Sequence, residues 1–183
     1  NVAQVVDVAA GGSATITGAV TTVADNNGTL DITGNVTTVT ANNGTLDVTG
    51  NVTTLTDNAG DMTVSGTVGT LADNTDGTLT ITGAVTTVTN ITDGTVTFEG
   101  AVATVDAITD GTVVFGSTAT TVTNIAGGDV TFQGNAEVVG MSGAAALSVE
   151  GTAVVTIKPT APLTAAANTT IDIAAGAKVV LDG

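Results

Sequence analysis

The feature that most constrains this chain is a repeat of 16 residues that lengthens to 17 part-way along. The best copies are Gly28 to Asn43 (GTLDITGNVTTVTANN), Gly44 to Ala59 (GTLDVTGNVTTLTDNA) and Gly77 to Asp93 (GTLTITGAVTTVTNITD). Self-similarity at a short fixed period marks units that bury an apolar face only by stacking on their neighbours. One glycine opens each unit, at Gly28, Gly44, Gly60, Gly77, Gly94, Gly111 and Gly128. A second recurs inside it from Gly18 to Gly151, broken only by Ser117.

Each unit carries two rhythms. After the opening glycine, apolar and polar residues alternate, as in Thr78-Leu79-Thr80-Ile81-Thr82, the period-2 pattern of a strand with one buried face. After the inner glycine, apolar residues recur every third position, as at Val85, Val88 and Ile91. A spacing of three cannot lie on one face of a flat strand, so the chain must bend between these residues. Helix is excluded by the dominance of Thr, Val, Gly, Asn and Asp. A sandwich of hairpins is the other all-β option, since Asn-Gly and Asp-Gly pairs recur, but it gives no reason for constant columns. The pattern predicts an all-β fold: a single-domain parallel β-helix, or β-solenoid, with 16–17-residue coils, about ten of them, and no capping helix.

The columns change together along the chain. Asn26, Asn42, Asn58 and Asn74 share one corner position, which becomes Ile91, Ile108 and Ile125 in the longer coils. Over the same coils the first-strand core position passes from Ile16, Ile32, Val48 and Met62 to Phe98, Phe115 and Phe132. An amide ladder would satisfy itself along the axis, and stacked rings would fill a cross-section expected to widen at the 17-residue period.

The ends look different. Val2, Val5 and Val8 keep the every-third spacing with no first strand before them, so residues 1–10 read as a half coil and a candidate strand-exchange arm. Residues 11–157 read as the regular solenoid. Residues 158–183 read as an irregular last coil, with a loop or bend over 158–168, where Pro159 and Pro162 interrupt the pattern, and strands around Ile171, Ile173, Val179 and Leu181. The regular register is expected to fail after Gly151. An incomplete coil exposes unpaired backbone and apolar edge, which a strand from a second copy can complete. The expected self-assembly residues are Val2, Val5, Val8, Val179 and Leu181.

Composition narrows the function. Seventeen acidic residues stand against two lysines, a net charge of -15, with no His, Cys, Trp or Tyr. That argues against nucleic acid, which asks for cations and stacking rings. It also leaves no triad for nucleophilic catalysis, so the chain is expected not to be an enzyme. No apolar run is long enough for a transmembrane segment. Calcium is the one cofactor considered, at the corner residues Asp76, Asp93 and Asp110, whose oxygens suit a hard cation; turn chemistry explains the same residues. Thr22, Thr38, Thr54, Thr70, Thr87, Thr104 and Thr121 form an unbroken outward column, flanked in part by Thr40, Thr56, Thr89 and Thr123. Such ranks resemble the ice-binding face of repetitive antifreeze solenoids, although Thr also simply suits exposed strand positions.

The units GTLDITGNVTTVT and GTLTITGAVTTVT resemble the passenger repeats of bacterial autotransporters and filamentous surface adhesins, over roughly residues 11 to 157. The resemblance implies a right-handed β-helix exported to the bacterial cell surface and carries no catalytic residues. No outer-membrane barrel segment is present in the sequence. The expectation is a secreted structural subunit of a filament, appendage or surface coat, with itself as partner, polymerising head to tail. The alternative is an ice-binding or adhesin-type solenoid.

Overall fold

The computed structural model describes residues 1–158 and 169–182. The chain alternates long and short strands. They begin with β1 (Val2–Val8), β2 (Ser13–Ile16), β3 (Val20–Asn26), β4 (Thr29–Ile32), β5 (Val36–Val39), β6 (Thr45–Val48) and β7 (Val52–Asn58). They continue with β8 (Asp61–Val64), β9 (Val68–Asn74), β10 (Thr78–Ile81), β11 (Val85–Ile91), β12 (Thr95–Phe98), β13 (Val102–Ile108) and β14 (Thr112–Phe115). The last are β15 (Ala119–Ile125), β16 (Gly128–Phe132), β17 (Ala136–Val138), β18 (Ala145–Val149), β19 (Val154–Ile157), β20 (Thr170–Ile173) and β21 (Lys178–Leu181). Odd strands form one 11-stranded parallel sheet, A, and even strands a 10-stranded one, B. Every strand pairs with its counterpart one coil away, which is the expected parallel β-solenoid. No helix occurs among the described residues, so none is long and apolar enough to cross a membrane.

The two rhythms of the sequence become two kinds of strand. Those of sheet B are short and straight, and the alternation in β10 buries Leu79 and Ile81 while Thr78 faces out. Those of sheet A bury every third residue, as Val85, Val88 and Ile91 do in β11. Its register with β13 pairs Val85, Thr87, Val88, Asn90 and Ile91 and passes over Thr86 and Thr89. The chain turns at each residue passed over, which brings side chains three apart to the same interior. Between the sheets runs one continuous core, whose members from Val20 to Ile157 are almost all below 3% exposed. Each fully buried Val, Leu, Ile or Phe contributes about 1.5–3 kcal/mol before conformational entropy is charged against it.

Register corrects one expected column. Met62 pairs with Leu46 and Leu79, not with the residues that lead to phenylalanine. The phenylalanine column runs Ile32, Val48, Val64, Ile81, Phe98, Phe115, Phe132, Val149. Counted from the opening glycine, Met62 is two residues on and Val64 four, so they occupy the two different inward positions of the same strand. The rings of Phe98 and Phe115 stack at 5.3 Å between centroids and those of Phe115 and Phe132 at 5.0 Å, tilted by 17° and 8°.

The 17th residue enters at one corner. The full-length long strands keep seven residues and the short ones four on both sides of the change, while the corner after the third inward position grows from Asn58-Ala59-Gly60 to Asn74-Thr75-Asp76-Gly77. The glycine that follows the longer corner adopts positive φ, at Gly77 (65°), Gly94 (83°), Gly111 (89°) and Gly128 (80°). That is a conformation glycine reaches without a Cβ penalty. Glycine is also required by stacking, because a Cβ at Gly44, Gly60 or Gly77 would run into the backbone of the opening glycine one coil back.

In the shorter coils and the first of the longer ones, which holds Asn74, the corner asparagines are fully buried and form the expected ladder. Asn26 Nδ2 donates to Asn42 Oδ1 (2.7 Å), Asn42 Nδ2 to Asn58 Oδ1 (2.8 Å) and Asn58 Nδ2 to Asn74 Oδ1 (2.8 Å). Each amide also reaches a corner carbonyl, as Asn58 Nδ2 does Gly60 O (3.0 Å) and Asn74 Nδ2 does Asp76 O (3.0 Å) and Asp93 O (2.7 Å).

The every-third spacing ends before Gly151. β17 pairs with β15 through Ala119 with Ala136 and Val122 with Val138, with a register shift between them. Val138 and Met141, which bridges to Ile125, keep one last step of three, and in β19 the inward residues Val155 and Ile157 stand two apart, in register with Ala136 and Val138. Loss of one bend residue flattens the strand and lets plain alternation take over. The loop or bend expected over 158–168 lies outside the described residues beyond Lys158.

Candidate functional site

The side walls of the solenoid are polar and its two ends are not. At one end Val2, Val5, Ala14 and Ile16 are only partly buried, because each heads a core column with no further rung upon it. At the other, Ile171 (44% exposed), Ile173 (47%) and Leu181 (72%) are the matching column ends. The predicted assembly residues Val2, Val5, Val179 and Leu181 therefore lie on the end faces, while Val8 is 7% exposed. Sequence reasoning left Ala14, Ile16, Ile171 and Ile173 out of that set. Their alternation with Ser13, Thr15, Thr170 and Asp172 places them in the inward columns of sheet B, the signal that finds them.

The strand marked as a donor is seated in its own chain. β21 pairs with β19 through Val155 with Val179 and Ile157 with Leu181. At the opposite end β1 pairs with β3 through Val2 with Val20, Val5 with Val23 and Val8 with Asn26. That last pair has a consequence for polar satisfaction. Asn26 Oδ1 is the one buried side-chain N or O atom among the described residues that finds no hydrogen-bond partner, because the ladder's next member would have to donate to it and the residue there is Val8. A buried acceptor left unpaired costs about 1–3 kcal/mol.

The threonine column is continuous in the structure. Thr22, Thr38, Thr54, Thr70, Thr87, Thr104 and Thr121 are neighbours in register along sheet A, preceded by Gln4 of β1. All seven are half-buried, each standing next to an inward residue on a strand that bends. The flat outward face belongs instead to sheet B, where Thr78, Thr80, Thr95 and Thr97 are register neighbours. That face also carries Asp31 and Asp47 on adjacent rungs.

The three corner aspartates act on their own turns. Asp76 Oδ1 accepts the Gly77 N–H (2.7 Å), Asp93 Oδ1 that of Gly94 (2.7 Å) and Asp110 Oδ1 that of Gly111 (2.8 Å). Among the described residues no three acidic side chains gather where they could hold a metal ion. The neighbouring polar column is held by coil-to-coil bonds, Thr75 Oγ1 donating to Asp57 (2.8 Å) and Thr92 Oγ1 to Asp73 (2.9 Å). Lys158 Nζ meets Glu137 Oε2 at 2.9 Å. The hydrogen bond and charge of Glu137 raise the lysine above its ordinary pKa, and both groups stay in solvent, where such a pair adds little.

In comparison with known proteins, no family model matches the chain, and neither a curated protein nor a solved structure does. The likeness to surface passengers and adhesins thus rests on the repeat pattern, and the parallel solenoid is what is established.

Proposed function

We propose that this chain is a structural protein, the self-assembling subunit of an extracellular bacterial filament, appendage or surface coat, joined end to end through its terminal coils. The observation that carries the reading is the contrast between closed polar walls and open apolar ends, with Leu181 72% exposed and Val2, Val5 and Ile16 partly so. A parallel sheet edge presents a row of unpaired N–H and C=O groups that another strand can continue. Head-to-tail contact between unlike faces propagates without closing, which gives a fibre. No catalytic step is part of this role. The alternative, a solenoid that binds ice or a carbohydrate surface through its threonine column, has weaker support, because that column is half-buried on a bending strand.

Sedimentation velocity and negative-stain electron microscopy over a range of concentration test the reading. Added salt should help, since subunits of net charge -15 repel one another. Concentration-dependent fibres are expected from the parent chain, and loss of fibres with an unchanged far-ultraviolet spectrum from Leu181→Asp. Monodisperse particles at every concentration and salt would overturn it.

A further inference from the structure

The described residues form twenty-one strands, an odd number for a coil made of two. Among the described residues sheet A has eleven strands and sheet B ten, so both ends finish on a strand of the same sheet, β1 and β21. If two copies stacked intact, β1 of one would lie on β21 of the other and sheet B would be missing a strand beside them. β20 and β2 would then stand two rungs apart, about 9.6 Å. A spiral that runs unbroken through the junction needs one sheet-A strand fewer.

β1 pairs with β3 at five positions but leaves one buried polar atom unsatisfied. Its Val2 and Val5 are only partly buried, its Val6 is 66% exposed, and its Val8 seals off Asn26 Oδ1 without offering a donor. β21 carries two inward residues, Val179 and Leu181, spaced two apart. Laid on β3 in place of β1, it covers Val20 and Val23 and stops short of Asn26, whose Oδ1 is then open to water. Pairing a two-apart strand with a three-apart strand is what β17 and β15 already do.

On the reading of the chain as a self-assembling subunit, we infer that β21 of one copy displaces β1 of the next and pairs with β3. β20 then stacks directly on β2, with Ile171 over Ala14 and Ile173 over Ile16. Each junction is a strand exchange that leaves both sheets continuous, and β1 is a placeholder that covers β3 until a second copy arrives.

The chain has no cysteine, so a crosslink can report the register. Ser13 and Thr170 lie in one outward column of sheet B, Ser13 pairing with Thr29 and Thr170 with Ala146. Displacement brings them to adjacent rungs about 4.8 Å apart, within disulfide reach, whereas intact stacking does not. Fibres of the full-length Ser13→Cys, Thr170→Cys chain should oxidise to a ladder of covalent multimers under denaturing electrophoresis, and each single variant should give none. A variant lacking residues 1–8, with its strand content checked by circular dichroism, should assemble faster and at lower concentration than the parent. Fibres without the ladder, or folded truncated chains that no longer assemble, would overturn the displacement while leaving self-assembly in place. Absence of assembly in the parent and every variant would overturn both.

Discussion

The coils around Asn42 and those around Ile108 share their columns and differ in how they close one corner. In the first, a single residue separates the buried asparagine from the opening glycine, and the amide supplies hydrogen bonds to the corner carbonyls from inside the core. In the second, two residues fill the corner, Asp110 receives the Gly111 N–H from outside, and isoleucine takes the interior. Asn74 stands between the two, with its amide still bonding from the core while Asp76 caps Gly77; at Ile91 and Ile108 the inserted corner residue lets the aspartate outside replace the amide inside. Burying isoleucine gains about 1.5–3 kcal/mol, whereas a buried amide nets far less once its desolvation is counted. The longer coils are therefore expected to be the more stable half, and the shorter ones to depend on their ladder being unbroken.

The largest expected effect tests the longer half. Phe115 is stacked on both sides and fully buried, so Phe115→Ala removes a large side chain and two ring contacts from a core that relaxes only partly. The loss should be about 3–5 kcal/mol, read as a lowered midpoint in guanidinium unfolding followed by circular dichroism. A loss no larger than that of Val130→Ala would show that ring stacking contributes nothing special there.

A break in the ladder should come next. Asn58→Ala strands Asn74 Oδ1 without its donor and leaves Gly60 O with only the Thr78 N–H, a loss of about 1–3 kcal/mol for the buried acceptor left unpaired. Asn58→Ile should be no better tolerated, because Asn74 Oδ1 still lacks its donor and the one-residue corner is shaped for the amide. Insertion of one residue between Ala59 and Gly60, copying the longer corner, should recover a measurable part of the loss. If Asn58→Ile alone were neutral, corner length and the asparagine column would be unconnected.

Much of this contrast could be read from residue order, since a repeat writes the same instruction once per coil. The period, the two rhythms, the asparagine ladder and the stacked phenylalanines all follow from counting. Met62 shows where counting slips: each short strand has two inward positions, and only the pairing of Met62 with Leu46 and of Val64 with Val48 says which belongs to the phenylalanine column. The shortened spacing at Ala136 and Val138 was hidden because a single dropped bend residue resembles ordinary variation until its partners are known. The end faces were legible for sheet A from Val2, Val5, Val179 and Leu181, and missed for sheet B. There Ala14 and Ile171 look like any other members of their columns, and exposure comes only from the missing neighbour.

The smallest expected change is the most pointed, because it joins the two halves of the comparison to the open end. Val8 is the Cα partner of Asn26 and lies where the ladder asks for one more amide. Val8→Asn places a donor within reach of Asn26 Oδ1, relieving a cost of about 1–3 kcal/mol, and gives up the burial of one valine, worth about 1.5 kcal/mol. The net should be a stabilisation of no more than about 1.5 kcal/mol, with Val8→Ala, which loses burial and gains no donor, destabilising as the reference. Guanidinium unfolding of the three chains measures the order Asn above Val above Ala. Fastening β1 in this way should also delay fibre growth if β1 must leave before a second copy can dock. Val8→Asn that is more stable yet assembles as fast as the parent would separate ladder completion from strand displacement and keep only the first.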